Sequence, residues 1–423
     1  MTATLAALLA DKDGASKALG APGREWMTFG DLRALAAEVT ASLRGFGIGA
    51  ADRVAIVLPN GPEMAAAFVT IAQGAVTAPL NPAYQREEYS FYLDDLNAKA
   101  LVVLDGYEGP ALAAAEPLGL SILRLHPVAG GPAGQFRLTG TPAKQPAPAG
   151  LPGPDATALI LHTSGTTSRP KIVPLLQSNL VASAHNIGTS LALTSADRCL
   201  NVMPLFHIHG LIAAVTASLA AGASVWCAPG FDALKFFGWL QDIDPTWYTA
   251  VPTMHQAILA RAGRNAEIIK NARLRFLRSS SSSLPGPVMT QLAETFGAPV
   301  VEAYGMTEAA HQMCCNPIEP GKQKPGAVGL PAGPEVRIAH EIENRLVNGI
   351  GEIAISGPNV TPGYEGNPEA NVKNFFEAEG KRWFRTGDQG AFDDDGFLSL
   401  TGRLKENINR GGEQISPVEV DCT

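Results

Sequence analysis

HTSGTTSRPK, residues 162–171, sets five hydroxyl side chains and one glycine in a short run closed by Lys171. The Walker pattern G-x-x-x-x-G-K-[ST] needs a glycine before its lysine and a hydroxyl residue after it. Gly165 and Lys171 keep that spacing, but Pro170 and Ile172 occupy the other two places. Pro170 fixes φ and has no N–H, so it offers no backbone donor to a phosphate. With Pro174 close behind, the segment after Lys171 is not expected to be a helix aimed at a phosphate. TALILH (157–162) reads instead as a strand and KIVPLL (171–176) as its extended return, with a helix starting later from Ser178 as N-cap. Such a loop would hold phosphate through the hydroxyls of Thr163, Ser164, Thr166 and Thr167, the backbone donors of Gly165 and its neighbours, and the charge of Lys171. A Ser/Thr-rich surface turn has the same composition, so the stretch has to be read with its surroundings.

Working outward, short apolar runs alternate with helical spacing. RVAIVLP (53–59) and KALVVLD (99–105) are buried-strand runs, and TFGDLRALAAEVTASLRGFG (28–47) is a helix closing on Gly47. The alternation resumes with RCLNVMP, ASVWCAP, TWYTAVP and RLRFLRS, which implies a mainly parallel sheet covered on both faces. Residues 128–155, rich in Pro, Gly and Ala, read as a loose connector. Beyond residue 325, EVRIAH, GEIAISG and GAFDDDGFLSLTG read as a small antiparallel unit. An Asp-Gly turn at 395–396 would fold the last of these into a hairpin that brings Asp388 and Arg403 side by side.

A chain of 423 residues is too long for one ordinary core. Its formal charge of −8, without a basic run, argues against nucleic-acid or anionic-membrane partners. Five cysteines without metal-ligand spacing point to a reducing, cytoplasmic setting. The first residues, MTATLAALLADKDG, lack the basic region of a signal peptide.

LHTSGTTSRPK, EAYGMTE, RTGD and GRLKENINRGGEQISP follow the order and approximate spacing of motifs in the acyl-adenylate-forming enzymes, and the chain resembles that superfamily of acyl-CoA synthetases, luciferases and adenylation domains. One departure is visible: Ser168 and Ile172 stand where the family usually has glycine. The resemblance implies an α/β fold with two αβ sandwich subdomains, 1–155 and 156–324, a small β-barrel subdomain, 325–404, and a hinge, 405–423. It also implies ATP, Mg²⁺ and CoA as cofactor and co-substrates. Thr163, Lys171 and Thr307 would serve the phosphates, and Glu308 would ligate the metal. Ser282, Glu302, Ala303 and Tyr304 would lie along the adenine, with Asp388 and Arg403 at the ribose and phosphate. Lys405 would be the hinge, and Gly411 and Gly412 would let the pantetheine arm approach the backbone. In such enzymes a further small domain carries the lysine that assists adenylation, so residues 1–423 are expected to bind ATP but adenylate poorly.

The acid would be met by His207, Ser281 and His311. EAYGMTEAAHQM, KPGAVGLP, GPNVTPGY and NPEAN resemble most the plant and yeast oxalate–CoA ligases. The expected partner is therefore a small carboxylic acid, oxalate first. Another short or medium-chain acid, or a non-catalytic nucleotide-binding protein, remains open, as does the oligomeric state.

Overall fold

The strand Arg53–Val57 carries no polar alternation because helices cover both of its faces. It lies near the middle of a seven-stranded sheet ordered Phe136–Thr139, Ser121–Pro127, Ala100–Leu104, Arg53–Val57, Val76–Pro79, Thr157–Thr163, Lys171–Leu176. Pairing is parallel except at the two edges. This and all that follows comes from a computed structural model that describes residues 3–163 and 170–404, with the backbone of 408–410 and 413–415.

A second sheet of nine strands is centred on Arg198–Asn201, Trp247–Ala250, Phe276–Ser280 and Val300–Met306, which run parallel. The main apolar core lies between the two sheets and takes residues from both, among them Val54, Leu159, Trp247 and Phe276. Sheet membership does not follow the expected break at residue 155. Thr157–Thr163 pairs with Val76–Pro79 in the first sheet, and Lys17–Gly20 pairs with Ser224–Cys227 in the second. An apolar run shows that a strand is buried but not which sheet buries it. The connector 128–155 is also less loose than its composition suggests. Phe136–Thr139 joins the first sheet, and Arg44, at the end of the helix Phe29–Gly45, donates to the Gly150 carbonyl.

The antiparallel unit is a barrel-like sheet of Leu346–Val347, Glu335–Ala339, Gly351–Ser356, Lys381–Phe392, Phe375–Ala378 and Leu398–Arg403. Its last hairpin turns at residues 393–396, where Asp393 accepts from the N–H groups of Asp395, Gly396 and Phe397. Asp388 and Arg403 are paired across it. No helix among the described residues is long and apolar enough to cross a membrane.

The helix that follows Lys171–Leu176 is Gln177–Ser190, two residues earlier than expected from Ser178 as N-cap. The Asn179 side chain, rather than Ser178, caps it by accepting from the Leu176 N–H at 2.9 Å. Starting early puts the fully buried Gln177 between two other helix ends. Its Oε1 accepts from Leu5 N–H at the start of Leu5–Ala10, and its Nε2 donates to the Ala72 carbonyl at the end of Pro62–Ile71. Both are groups that a helix leaves unsatisfied. Gln177→Ala should therefore lower the unfolding free energy by about 2–5 kcal/mol, the cost of stranding a buried donor and acceptor. Urea titration checks this as a lower midpoint at unchanged slope.

Candidate active site

The three large sheets meet at one cavity of about 490 Å³. Pro79–Asn81 and Leu161–Thr163 reach it from the C-terminal ends of first-sheet strands, where open α/β sheets bind ligands. Phe206–Ile208, Ser281 and Gly305–Glu308 reach it from the second sheet, and Thr386, Gly387 and Arg403 from the antiparallel one. Of the residues singled out in the sequence, Thr163, Lys171, His207, Ser281, Thr307, Glu308, His311 and Arg403 line it together. Ser164, Gly165, Thr166, Thr167, Lys405, Gly411 and Gly412 lie outside the described residues.

On one part of the wall, Lys171 is paired with Thr163 across the strand return, and its ammonium sits 4.4 Å from the ring centre of Tyr364. The Tyr364 hydroxyl donates to Glu308 Oε1 at 2.7 Å. Cation, ring and carboxylate thus form one stack. Burial raises the Glu308 carboxyl above its ordinary value, while the Tyr364 hydrogen bond and then the Lys171 charge oppose the rise. Tyr364 was missed in the sequence reading. Its only sign there is its place in GPNVTPGY, a stretch of turn residues in which an aromatic has no periodicity to follow. Asn81, Tyr84 and Tyr92 were missed for a similar reason. Tyr84 and Tyr92 stack at 5.0 Å, and Tyr92 meets His162 edge-on, but their spacing in sequence resembles a helix surface.

Arg403 Nε donates to Asp388 Oδ1 at 3.0 Å, as the hairpin predicted, and Tyr304 donates to Asp388 Oδ2 at 2.5 Å. Asp388 therefore stands behind Arg403 rather than on the wall. Tyr304, expected against the adenine, is also off the wall, with its ring packed in the core. The pairing of Val300–Met306 with His311–Cys315 slips between Tyr304 and Gly305, and a bulge re-aims the side chains on either side of it. Glu302 and Ala303 are buried in the same strand and do not line the cavity either. The Glu302 carboxyl accepts from Leu284 N–H, and burial lifts it to about 7. Ala303 accepts from Ser280 Oγ. Ser282 is solvent-exposed beside the mouth and off the wall.

Another part of the wall is built from histidines and strained backbone. His209 bridges Ser281 Oγ at 2.9 Å and Thr249 Oγ1 at 2.6 Å, and its ring lies 5.1 Å from that of His311. Burial holds His207, His209 and His311 below the usual imidazole range, so all three are neutral at pH 7. His311 Nδ1 is buried without a hydrogen-bond partner. Ala310 and His311 have φ of 47° and 102°, a left-handed pair that costs non-glycine residues about 1–3 kcal/mol each. Ser183 donating to Ala310 O, and Asn359 donating to Ala309 O and Gln312 O, fix that turn. Gly305 lies so close beneath it that a Cβ there would stand 1.9 Å from the His311 carbonyl oxygen.

A lone carboxylate on the wall suits Mg²⁺, which is commonly held by one or two carboxylates together with substrate phosphates. No group of three or more His, Cys, Asp and Glu among the described residues forms a metal cage. Glu308 would hold such an ion.

Known proteins resemble this chain in sequence and in fold. The family described as AMP-binding enzyme matches residues 9–365. An oxalate–CoA ligase of Arabidopsis thaliana is 46% identical over 382 residues, covering 89% of this chain and 73% of its own. An oxalate–CoA ligase of Saccharomyces cerevisiae is 42% identical over 401 residues, covering 88% and 72%. The crystal structure of ATP-bound MatB from Rhodopseudomonas palustris superimposes with a TM-score of 0.87 at 29% identity, covering 100% of this chain and 83% of that one.

Two outcomes follow from this geometry. Glu308 binds its proton more tightly folded than unfolded, so its penalty on stability is absent below the ordinary glutamate pKa of about 4 and grows as pH rises through the folded value. Glu308→Gln should melt close to the wild type at pH 4 and above it at pH 8, read by calorimetry across that range. Gly305→Ala should displace the 310–311 turn, seen as loss of nucleotide binding by calorimetry with secondary structure retained in circular dichroism.

Proposed function

The chain belongs to the AMP-binding enzyme family and is an AMP-forming acid–CoA ligase, and from that premise we propose that its acid is a small dicarboxylate, oxalate first. One carboxylate oxygen attacks the α-phosphorus of ATP, and pyrophosphate leaves with the bond it breaks. The thiolate of CoA then attacks the acyl carbon, and AMP departs.

The observation that carries the reading is a single wall with two sets of groups of different chemistry. In the first, Lys171, Thr307 and Thr163, which line the cavity, would hold phosphate oxygens. Glu308, oriented by Tyr364, would hold Mg²⁺, which neutralises the charge of the departing pyrophosphate when bound. Arg403, fixed by Asp388, is set to meet ribose and phosphate oxygens. In the second, neutral imidazoles and a serine hydroxyl offer hydrogen bonds without a formal charge. The unpartnered His311 Nδ1, the His207 ring and Ser281 are the groups we assign to the carboxylate that does not react. Leu80, Phe206 and Met306 on the same wall favour a second reading, a short monocarboxylic acid.

A panel of acids scored by AMP release should rank oxalate first, with CoA consumed in step. His311→Ala should cut kcat/KM for oxalate by roughly tenfold or more, the worth of a hydrogen bond to a charged group, while acetate loses far less. Equal losses for both acids would refute the assignment of His311.

A further inference from the structure

Arg278, in the strand Phe276–Ser280, is the largest charged side chain with no exposed surface. Its Nη2 donates to Gln312 Oε1 at 3.1 Å, while Nε and Nη1 are buried without a hydrogen-bond partner. Among the described residues no carboxylate forms an ion pair with it. The thiols that feel its charge, Cys199 and Cys315, are held protonated by burial, Cys315 at about 11 even with the guanidinium beside it. His209 and His311 are kept neutral by burial first and by Arg278 second. The guanidinium itself stays charged at neutral pH despite its burial. The interior therefore holds a cation with no anion to match it.

Such a charge is costly, and an apolar side chain of similar volume is often neutral or stabilising in its place. Its position suggests what compensates. Arg278 pairs in register with Thr249, which bonds His209, which bonds Ser281 on the cavity wall. On its other side Gln312 directly follows His311, also on the wall. Both routes end where we place the non-reacting end of the acid. We propose that Arg278 is a specificity-determining charge for the acyl end: from behind the His209, His311 and Ser281 layer, its field selects acids that carry a second anionic group. It touches no substrate and acts as a positioning residue, through electrostatics in a low-dielectric setting. This deepens the acyl-end assignment made above and rests on it.

The test uses matched acids of similar shape that differ by one charge, oxalate against oxamate and malonate against malonamate, with the full chain and its variants. Arg278→Met should lower the dianion-to-monoanion ratio of kcat/KM by roughly tenfold or more, mostly through KM for the dianion. Its kcat for the monoanion should be unchanged, and the unliganded variant should melt no lower than the wild type. Arg278→Lys, whose ammonium gives up its proton readily when buried, should stay nearer the wild-type ratio at the acid end of the assay range and fall toward the methionine variant as pH rises. A wild type that shows no dianion preference in either pair sinks the acyl-end reading and this proposal with it. A wild type that prefers dianions, with the methionine variant keeping the same ratio, sinks the role of Arg278 alone. Should the methionine variant fold poorly, Arg278→Gln makes the same comparison.

Discussion

The hydrogen bond from Tyr364 to Glu308 joins parts of the chain that have little else in common. Glu308 sits in the single helical turn Thr307–Ala309 after a strand of the second sheet, Tyr364 sits in a loop of the antiparallel unit, and Lys171, beside the tyrosine ring, opens an edge strand of the first. A carboxylate sealed from water tends to take up a proton, and a protonated acid is a poor ligand for a hard cation. The hydroxyl and the ammonium hold it back from that outcome. The meeting of three sheets at one cavity is thus an electrostatic requirement as well as a topological fact. Without the tyrosine and lysine, burial would be opposed only by a backbone hydrogen bond.

The two sets of wall groups handle negative charge differently. The Lys171 set offers a direct cation, which suits the dense charge of a triphosphate. Around His311 the wall itself is neutral, and the positive charge stands one layer back in Arg278. The backbone differs in the same way. Lys171 lies in regular strand, whereas Ala310 and His311 occupy strained dihedrals fixed by Ser183 and Asn359. Strain of this kind persists where the surroundings over-determine a turn, and here it aims one imidazole into the cavity.

Much of this was legible in the sequence, and for identifiable reasons. Strands such as Arg53–Val57 and Ala100–Leu104 announced themselves by unbroken apolar runs, and the pairing of Asp388 with Arg403 followed from turn residues at the right spacing. The sheet that claims each strand was not legible, because an apolar run carries no address. Lys171, Thr307, Glu308 and His311, which share the cavity wall, could be singled out because their motifs arrive in order. Tyr364 was not, since nothing local distinguishes a site tyrosine from a turn tyrosine. The register slip beside Tyr304 is likewise a feature that no periodicity reveals. Arg278 was hidden in plain view: within RLRFLRS it reads as one of three arginines at a strand, and only the folded structure separates the sealed one from the others.

The interleaving of the two parallel sheets bears on how the chain is made. Leu19 lies across from Val225, so a ribosome releases this strand long before its neighbour exists. Until Ser224–Cys227 emerges, Lys17–Gly20 has no parallel partner, and its apolar residues must wait in a nascent polypeptide prone to sticking. Synthesis speed through the intervening segment, and chaperones at the exit tunnel, thereby become determinants of yield.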